Sequence, residues 1–154
     1  MKELSFLGLR RNLDRSCNDL VLMCMDFRFH RQLGEILTSD GYRTFDIVAL
    51  PGSSKSLRDA GSREVVLSAI RTAVSIHSIK RVIIADHVDC RAYGGSEAHA
   101  GSEQEMHSHE EALREAGQVV KGEFPALEVV LVYADWDHVR EVDPTLPKTS
   151  DAQI

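Results

Sequence analysis

Two short segments of the chain carry side chains that can hold a metal ion. The first is Cys24, followed closely by Asp26 and Arg28, and the second is His87-Val88-Asp89-Cys90. Each segment follows an apolar run rich in β-branched residues, so we expect each at the end of a buried strand. Two cysteines and one histidine leave a tetrahedral zinc ion one ligand short, which is typical of catalytic zinc sites. The pattern therefore predicts a metal centre that activates water.

Asp26 and Arg28 leave more than one interpretation open. Asp26 can bind the metal itself and close the site, or it can accept a hydrogen bond from a metal-bound water and orient it. Arg28 offers a forked, permanently charged partner that can hold the Asp26 carboxylate away from the metal. The pair can also be a surface ion pair of little energetic value. Cys24 taken alone is equally consistent with a small buried hydrophobic residue.

The rest of the chain alternates between strand patterns and helix patterns. Short apolar runs predict strands over residues 20–24, 45–50, 81–85 and 129–133, with a further short edge strand over 139–142. Apolar residues at helical spacing predict helices over residues 3–14, 30–39, 62–78 and 102–121, the third of them capped by Ser62. This alternation is typical of an α/β fold, here a three-layer sandwich with a mainly parallel sheet of four to five strands and helices on both faces. We expect a single domain over residues 1–154, with a short N-terminal helical arm (1–17) and a tail (143–154).

The expected strand order, 2-1-3-4, brings together the two segments that carry the possible metal ligands. The order reverses between strands 1 and 3, and open α/β sheets form ligand sites outside the carboxyl ends of the strands at such a reversal. Cys24 ends strand 1, while His87 and Cys90 follow strand 3. Cys17 precedes strand 1, so we expect it at the opposite end of the sheet.

The succession of Cys-x-Asp-x-Arg and His-x-x-Cys resembles the paired motifs of the β-class carbonic anhydrases, and the order of elements is similar over residues 18–100. The resemblance implies one Zn²⁺ per chain, bound by Cys24, His87 and Cys90. It also implies that Asp26 and Arg28 form a catalytic pair. The implied reaction is the reversible hydration of carbon dioxide to bicarbonate by metal-activated water.

The same resemblance bears on the substrate pocket and on assembly. The Gly52-Ser53 turn resembles the glycine-containing loop that lines the family's site, and Phe27 stands where these enzymes usually have serine. We therefore expect Gly52, Ser53 and Phe27 to line a substrate pocket. In the family an N-terminal arm wraps a partner subunit, which implies a homodimer that completes the active-site cleft.

Several substitutions relative to the family keep other functions open. Asp86 replaces the glycine that commonly precedes the ligand histidine, Arg91 replaces the glycine after the second cysteine, and Ala49-Leu50-Pro51 replaces a polar segment. We expect Asp86 and Arg91 to add charge near the metal. The alternatives are a hydrolase of carbonyl sulfide or carbon disulfide on the same scaffold, and a non-catalytic zinc-binding or regulatory protein.

Three histidines crowd the segment that follows Cys90, namely His99, His107 and His109. One interpretation is a solvated helix face, which is the usual meaning of a run of charged residues. The other interpretation makes one of these histidines a proton shuttle, because imidazole titrates near neutral pH.

The composition indicates which classes of binding partner and which cellular compartment to expect. The net charge of −6 disfavours nucleic acid and anionic membranes as main partners. The family resemblance implies a small-molecule substrate, carbon dioxide or bicarbonate. No apolar stretch approaches the roughly 20 residues that a membrane span needs, and the first residues lack the pattern of a signal peptide. Three cysteines, an odd number, are not spaced as a disulfide framework. We therefore expect a cytoplasmic protein whose thiols stay reduced.

Overall fold

A five-stranded sheet with the order β2-β1-β3-β4-β5 forms the centre of the molecule. The computed structural model describes residues 16–39 and 44–145. Its strands are β1 (Asp19–Met23), β2 (Phe45–Ala49), β3 (Arg81–His87), β4 (Glu128–Ala134) and β5 (Val139–Val142). Its helices are α1 (Phe27–Ser39), α2 (Ser54–Arg58), α3 (Ala60–His77) and α4 (Ser102–Glu123), and two short 3-10 turns cover Arg91–Tyr93 and Ser96–Ala98.

The sheet confirms the predicted order and adds an antiparallel edge. β1 pairs in parallel with both β2 and β3, and β3 pairs in parallel with β4. The predicted edge strand, β5, pairs antiparallel with β4. Helices pack around this sheet, and the preference for right-handed crossovers places α1 on the face opposite α3 and α4.

The strands nearest the centre are buried on both faces, as their unbroken apolar character predicts. All five residues of β1 are buried, and so are the last six residues of β3. α1 is amphipathic and directs Phe29, Leu33 and Leu37 into the core. The core therefore holds the carboxyl ends of β1 and β3 rigidly, and these ends carry the cysteines and the histidine.

The structure corrects several predicted boundaries. The predicted helix over 62–78 begins at Ala60, because the Asp59 side chain, rather than Ser62, caps it by accepting a hydrogen bond from the Gly61 N–H. The short helix α2 was not predicted, because its residues are mostly polar. α1 begins at Phe27, three residues earlier than expected, and β3 continues to His87. The helix predicted over 3–14, and with it most of the N-terminal arm, lies outside the described residues.

In the described part of the chain, no helix combines the length and apolar character that crossing a membrane requires.

Candidate metal centre and active site

Cys24, His87 and Cys90 come together at the reversal of strand order. Cys24 directly follows β1, and His87 is the last residue of β3, which pairs with β1 in parallel register. Cys90 lies three residues farther along, in the loop that follows β3. All three side chains are buried, and their donor atoms lie within 4.8 Å of one another.

The separation of the two sulfur atoms suits a zinc ion. Cys24 Sγ and Cys90 Sγ lie 3.8 Å apart, too far for a disulfide bond. Two thiolates bound to one tetrahedral zinc ion at about 2.3 Å would lie roughly 3.8 Å apart. The cysteines are therefore spaced as ligands of one ion.

His87 has a ring nitrogen left for a metal. Its Nδ1 lies 2.7 Å from the backbone oxygen of Val88, while its Nε2 is buried without a hydrogen-bond partner. Buried polar atoms are nearly always satisfied, so an unpartnered imidazole nitrogen beside two thiols requires an explanation. A ring stack with Phe29, at 4.2 Å between centroids, fixes the imidazole plane. This arrangement, with one nitrogen bonded to the backbone and the other free, is typical of a metal-binding histidine.

The protonation state of the two thiols also favours the binding of a cation. The hydrogen bond with Cys90 lowers the pKa of the Cys24 thiol to about 4, although burial opposes the shift. The same hydrogen bond, together with burial, raises the pKa of Cys90. Burial disfavours the imidazolium of His87, but the contact with Cys24 raises the pKa of His87 overall. The pair of cysteines thus holds one negative charge near neutral pH, and a bound dication would displace the remaining thiol proton.

The turn after β2 contacts Cys24 and fixes the position of its sulfur atom. The Gly52 N–H lies 3.4 Å from Cys24 Sγ and donates to it. Gly52 has a φ of +73°, and a Cβ there would lie 2.9 Å from the Cβ of Ala92, so only glycine fits. Ser53 is fully buried, and its hydroxyl donates to the Leu22 carbonyl at 3.1 Å. Both residues therefore serve the architecture around Cys24, and among the described residues they are not part of the cavity wall.

Asp26 and Arg28 form the ion pair that the sequence suggested. Arg28 Nη2 donates to Asp26 Oδ2 at 2.6 Å, and Arg28 Nε donates to Asp26 Oδ1 at 3.0 Å. These hydrogen bonds lower the pKa of Asp26 to about 2. Asp26 is therefore a carboxylate at neutral pH and can only accept hydrogen bonds.

A second carboxylate holds Arg28 from the other side. Arg28 Nη1 donates to Asp89 Oδ2 at 2.9 Å, and Arg28 Nη2 donates to the Asp89 carbonyl at 3.1 Å. Asp89 lies within His87-x-x-Cys90 and has a φ of 55°. Arg28 thus connects the segment after β1, which carries Cys24, directly to the segment from His87 to Cys90. The sequence placed Asp89 beside the ligands but did not indicate this contact.

Glu105 accepts hydrogen bonds from the loop after β3 and so holds it in place. This role was not predicted from the sequence. The side chain is 1% exposed, its Oε1 accepts from the Asp89 N–H at 2.7 Å, and its Oε2 accepts from Ser96 Oγ at 2.8 Å. The available signal was its spacing, because Glu105 belongs to the buried stripe of α4, which continues through His109, Ala112, Leu113 and Ala116. An acidic residue at the same helical spacing as the buried apolar residues indicates a buried carboxylate that binds a neighbouring segment, rather than a solvated helix face.

Replacing Glu105 with alanine should lower the free energy of unfolding by about 1–3 kcal/mol, because it leaves the Asp89 N–H without its buried acceptor. Urea denaturation followed by circular dichroism measures this change. Glu103→Ala, an exposed position two residues earlier on the same helix, is the matched control and should change stability by no more than about 0.5 kcal/mol. Equal effects of the two substitutions would contradict the anchoring role.

Asp86 and His87 face opposite sides of the sheet, as neighbours on a strand do. Asp86 is 2% exposed and accepts from Ser54 Oγ at 2.6 Å, and its Oδ2 lies 3.0 Å from His109 Nδ1. The Asp86 oxygens are therefore occupied on the α4 side, but the negative charge of Asp86 still contributes to raising the pKa of Cys90, as expected for a charge near the centre. Arg91 does line the cavity and lies 3.6 Å from Glu97.

The three histidines after Cys90 lie in different surroundings. His109 is fully buried in its pair with Asp86, and His107 lies on the outside of α4, 3.7 Å from Glu111. His99 is half-buried, with its ring 6.4 Å from that of His109. Among the described residues, none of the three lines the cavity next to the cysteines. A proton shuttle through them stays a prediction.

A cavity of about 650 Å³ opens beside Cys24 and Cys90. Its apolar lining residues are Met25, Phe27, Pro51 and Ala92, and its charged lining residues are Asp26, Arg28, Asp89, Arg91 and Glu97. Phe27, expected in the substrate pocket, does line it and is 83% exposed. Cys24 and Cys90 thus face a space that a small molecule can enter.

The fold and the Cys–His–Cys group define a divergent protein of the β-carbonic anhydrase type. A family model described as "Putative carbonic anhydrase" matches residues 15–143. The match covers most of the chain, so the chain belongs to this family.

Individual proteins and a solved structure are also similar to this chain. An uncharacterised protein of Rickettsia bellii is 30% identical over 129 residues, with 79% of each chain covered. An uncharacterised protein of Rickettsia conorii is also 30% identical over 129 residues, covering 79% of this chain and 69% of the relative. Among solved structures, a tetrameric β-carbonic anhydrase of Sordaria macrospora superposes with a TM-score of 0.60 at 12% identity, over 83% of this chain and 81% of the other. At that identity the likeness establishes the fold.

Proposed function

We propose that this protein is a zinc-dependent carbonic anhydrase, which hydrates carbon dioxide reversibly to bicarbonate with one catalytic Zn²⁺ per chain. The observation that supports the proposal most strongly is the buried, unpartnered Nε2 of His87 beside two sulfur atoms 3.8 Å apart. Cys24, His87 and Cys90 would hold the ion. Because they supply three ligands, the fourth position would remain for water, as in catalytic zinc sites.

Bound zinc would supply the activation of water, whose pKa it lowers to about 7. Asp26 would act as a hydrogen-bond acceptor at the edge of the cavity, because its low pKa keeps it ionised. Arg28 would keep the Asp26 carboxylate oriented, since Arg28 is itself fixed by Asp89. In this assignment Asp26 orients the reacting water, and Arg28 prevents Asp26 from swinging onto the metal.

The cavity suits a small substrate that becomes charged during the reaction. Carbon dioxide is apolar, and Met25, Phe27 and Pro51 offer apolar surface beside the cysteines. Bicarbonate is an anion, and Arg91 supplies a positive charge in the lining of the same cavity. Carbonyl sulfide and carbon disulfide are also small, linear and apolar, so the walls do not favour one of the three substrates.

Stopped-flow measurement of carbon dioxide hydration by the zinc-loaded protein tests the proposal. We expect catalysis well above the buffer rate, with metal analysis giving zinc at the Cys24–His87–Cys90 centre. Hydrolysis of carbonyl sulfide or carbon disulfide without carbon dioxide hydration would assign the alternative activity. Zinc binding without turnover of any of the three substrates would identify a non-catalytic zinc protein.

We also propose that the chain forms a homodimer in solution. Three large apolar side chains near the cavity are strongly exposed, with Met25 at 58%, Phe27 at 83% and Trp136 at 57%. Exposed apolar surface of this kind marks contact sites. Sedimentation equilibrium at micromolar concentration should give twice the 17.2 kDa of one chain, and Phe27→Glu should weaken the association. A monomeric mass for the unmodified chain would refute this prediction.

A cytoplasmic location accords with the thiol chemistry. Cys17, Cys24 and Cys90 are free cysteines, and reduced thiols persist in the cytoplasm. Cell fractionation with an antibody to the protein tests this part of the proposal.

A further inference from the structure

A second cluster of metal-binding side chains lies at the opposite end of the sheet. It consists of Cys17, just before β1, Asp46 in β2 and His77, the last residue of α3. Their donor atoms lie within 4.8 Å of one another. The expected position of Cys17, far from the catalytic segment, is confirmed, but the chain surrounds it with two further donors.

One backbone hydrogen bond and one side-chain hydrogen bond hold the three residues in place. The Cys17 N–H donates to the His77 carbonyl at 3.1 Å, so the segment before β1 is fixed to the end of α3. His77 Nδ1 lies 2.7 Å from Asp46 Oδ2, which fixes the same helix end to β2. Three different elements therefore bring a sulfur, an oxygen and a nitrogen together. Metal binding would replace the 2.7 Å hydrogen bond between His77 and Asp46, because two ligands at about 2.0 Å from one tetrahedral ion lie roughly 3.3 Å apart.

We propose that Cys17, Asp46 and His77 form a second, non-catalytic site for a divalent transition-metal ion such as Zn²⁺. The mixture of thiolate, carboxylate and imidazole is the donor set that zinc accepts, whereas Mg²⁺ and Ca²⁺ prefer oxygen ligands alone. Binding would release the thiol proton of Cys17 to solvent. The carboxyl end of a helix carries a partial negative charge, so the end of α3 adds to the attraction for a cation.

The site is open, which distinguishes it from the centre at Cys24. Asp46 and His77 side chains are 29% and 35% exposed, and Cys17 is half-buried. Three protein ligands and a water molecule would complete the coordination, and we expect weaker binding than at the buried centre. Seven residue-to-residue steps of extended chain lead from Cys17 to Cys24, a distance of about 23 Å. The second ion therefore stabilises the β1–β2–α3 junction and takes no part in catalysis.

Cobalt titration of the purified, zinc-loaded protein tests this site. After weakly bound metal is removed by brief dialysis against a chelator, Co²⁺ is added and the near-ultraviolet thiolate-to-cobalt absorption is recorded. We expect one additional equivalent of metal together with this absorption. Cys17→Ala and His77→Ala should each abolish the absorption and the extra equivalent.

Two controls distinguish a metal site from a purely structural cluster. His138→Ala alters an exposed group of Asp135, Asp137 and His138 and should leave the cobalt absorption unchanged. A thermal shift on adding Zn²⁺ should occur in the unmodified chain and vanish in Cys17→Ala. If Asp46 and His77 form only a structural pair, the difference in stability between each variant and the unmodified chain is the same with and without metal. The unmodified chain then shows no cobalt absorption. That result would overturn the proposal, as would an absorption that survives in Cys17→Ala and disappears only in Cys24→Ser.

Discussion

Replacing His87 with alanine should remove the catalytic metal and lower carbon dioxide hydration by more than about 100-fold, because loss of an outer-shell partner alone commonly costs 10–100-fold. His87 supplies the only nitrogen in the Cys24–His87–Cys90 group, and its Nε2 is the unpartnered atom. Without it, only the two thiols would remain as protein ligands, which is too few to retain the ion. Elemental analysis for zinc and stopped-flow kinetics on the same sample measure both effects.

The matched control for this variant is His138→Ala, because His138 is an exposed histidine whose side chain is 65% accessible. It should retain catalytic zinc and activity. Circular dichroism checks that His87→Ala is folded, since the substitution also removes the ring that stacks on Phe29. A folded His87→Ala protein with full zinc content at the Cys24 centre and full activity would contradict the assignment of the ligand.

Replacing Arg28 with alanine should lower activity by about 10–100-fold while zinc remains bound. The substitution removes the donors that hold Asp26 and releases Asp89 at the same time. Asp26 is then free to turn towards the metal and take the position of the reacting water. The activity of Arg28→Lys should fall between those of Arg28→Ala and the unmodified chain, because lysine keeps the charge but loses the forked geometry.

Arg31→Ala provides the comparison on the same helix. Arg31 lies three residues after Arg28, pairs with Glu35 at 2.8 Å and is highly exposed. It should retain full zinc content and full activity, because exposed pairs of this kind contribute little. Equal activity in Arg28→Ala and Arg31→Ala would show that the pair of Asp26 and Arg28 has no functional role.

The meeting of Cys24, His87 and Cys90 could be predicted from sequence because it depends on strong, local patterns. The apolar runs that end near residues 24 and 85 identify two strands buried on both faces, and the α/β alternation orders them. The parallel pairing of β1 with β3 then leaves little freedom in where their carboxyl ends lie. The motif spacing completes the prediction.

Glu105 and Asp86 could not be placed in this way. A glutamate in a helix rich in charge is usually solvated, and only the tertiary contact with the Asp89 N–H shows that Glu105 is buried for a reason. Asp86 lies next to a predicted metal ligand, yet the alternation of the strand directs it to the other side of the sheet, toward His109. Spacing within α4 and alternation within β3 indicate the side on which each residue lies, but a single sequence does not identify the long-range hydrogen-bond partners that each residue has there.

The burial of β1 and β3 has a consequence for how fast a bound ion would exchange. Fully buried inner strands open last in native proteins, whereas loops open locally and often. Cys24 and His87 adjoin or belong to these strands, but Cys90 lies in the loop that Glu105 and Arg28 hold through Asp89. Local opening of a loop takes microseconds to seconds. The residence time of the ion would therefore be set by the loop after β3, and one folded molecule could release and regain its metal many times without unfolding.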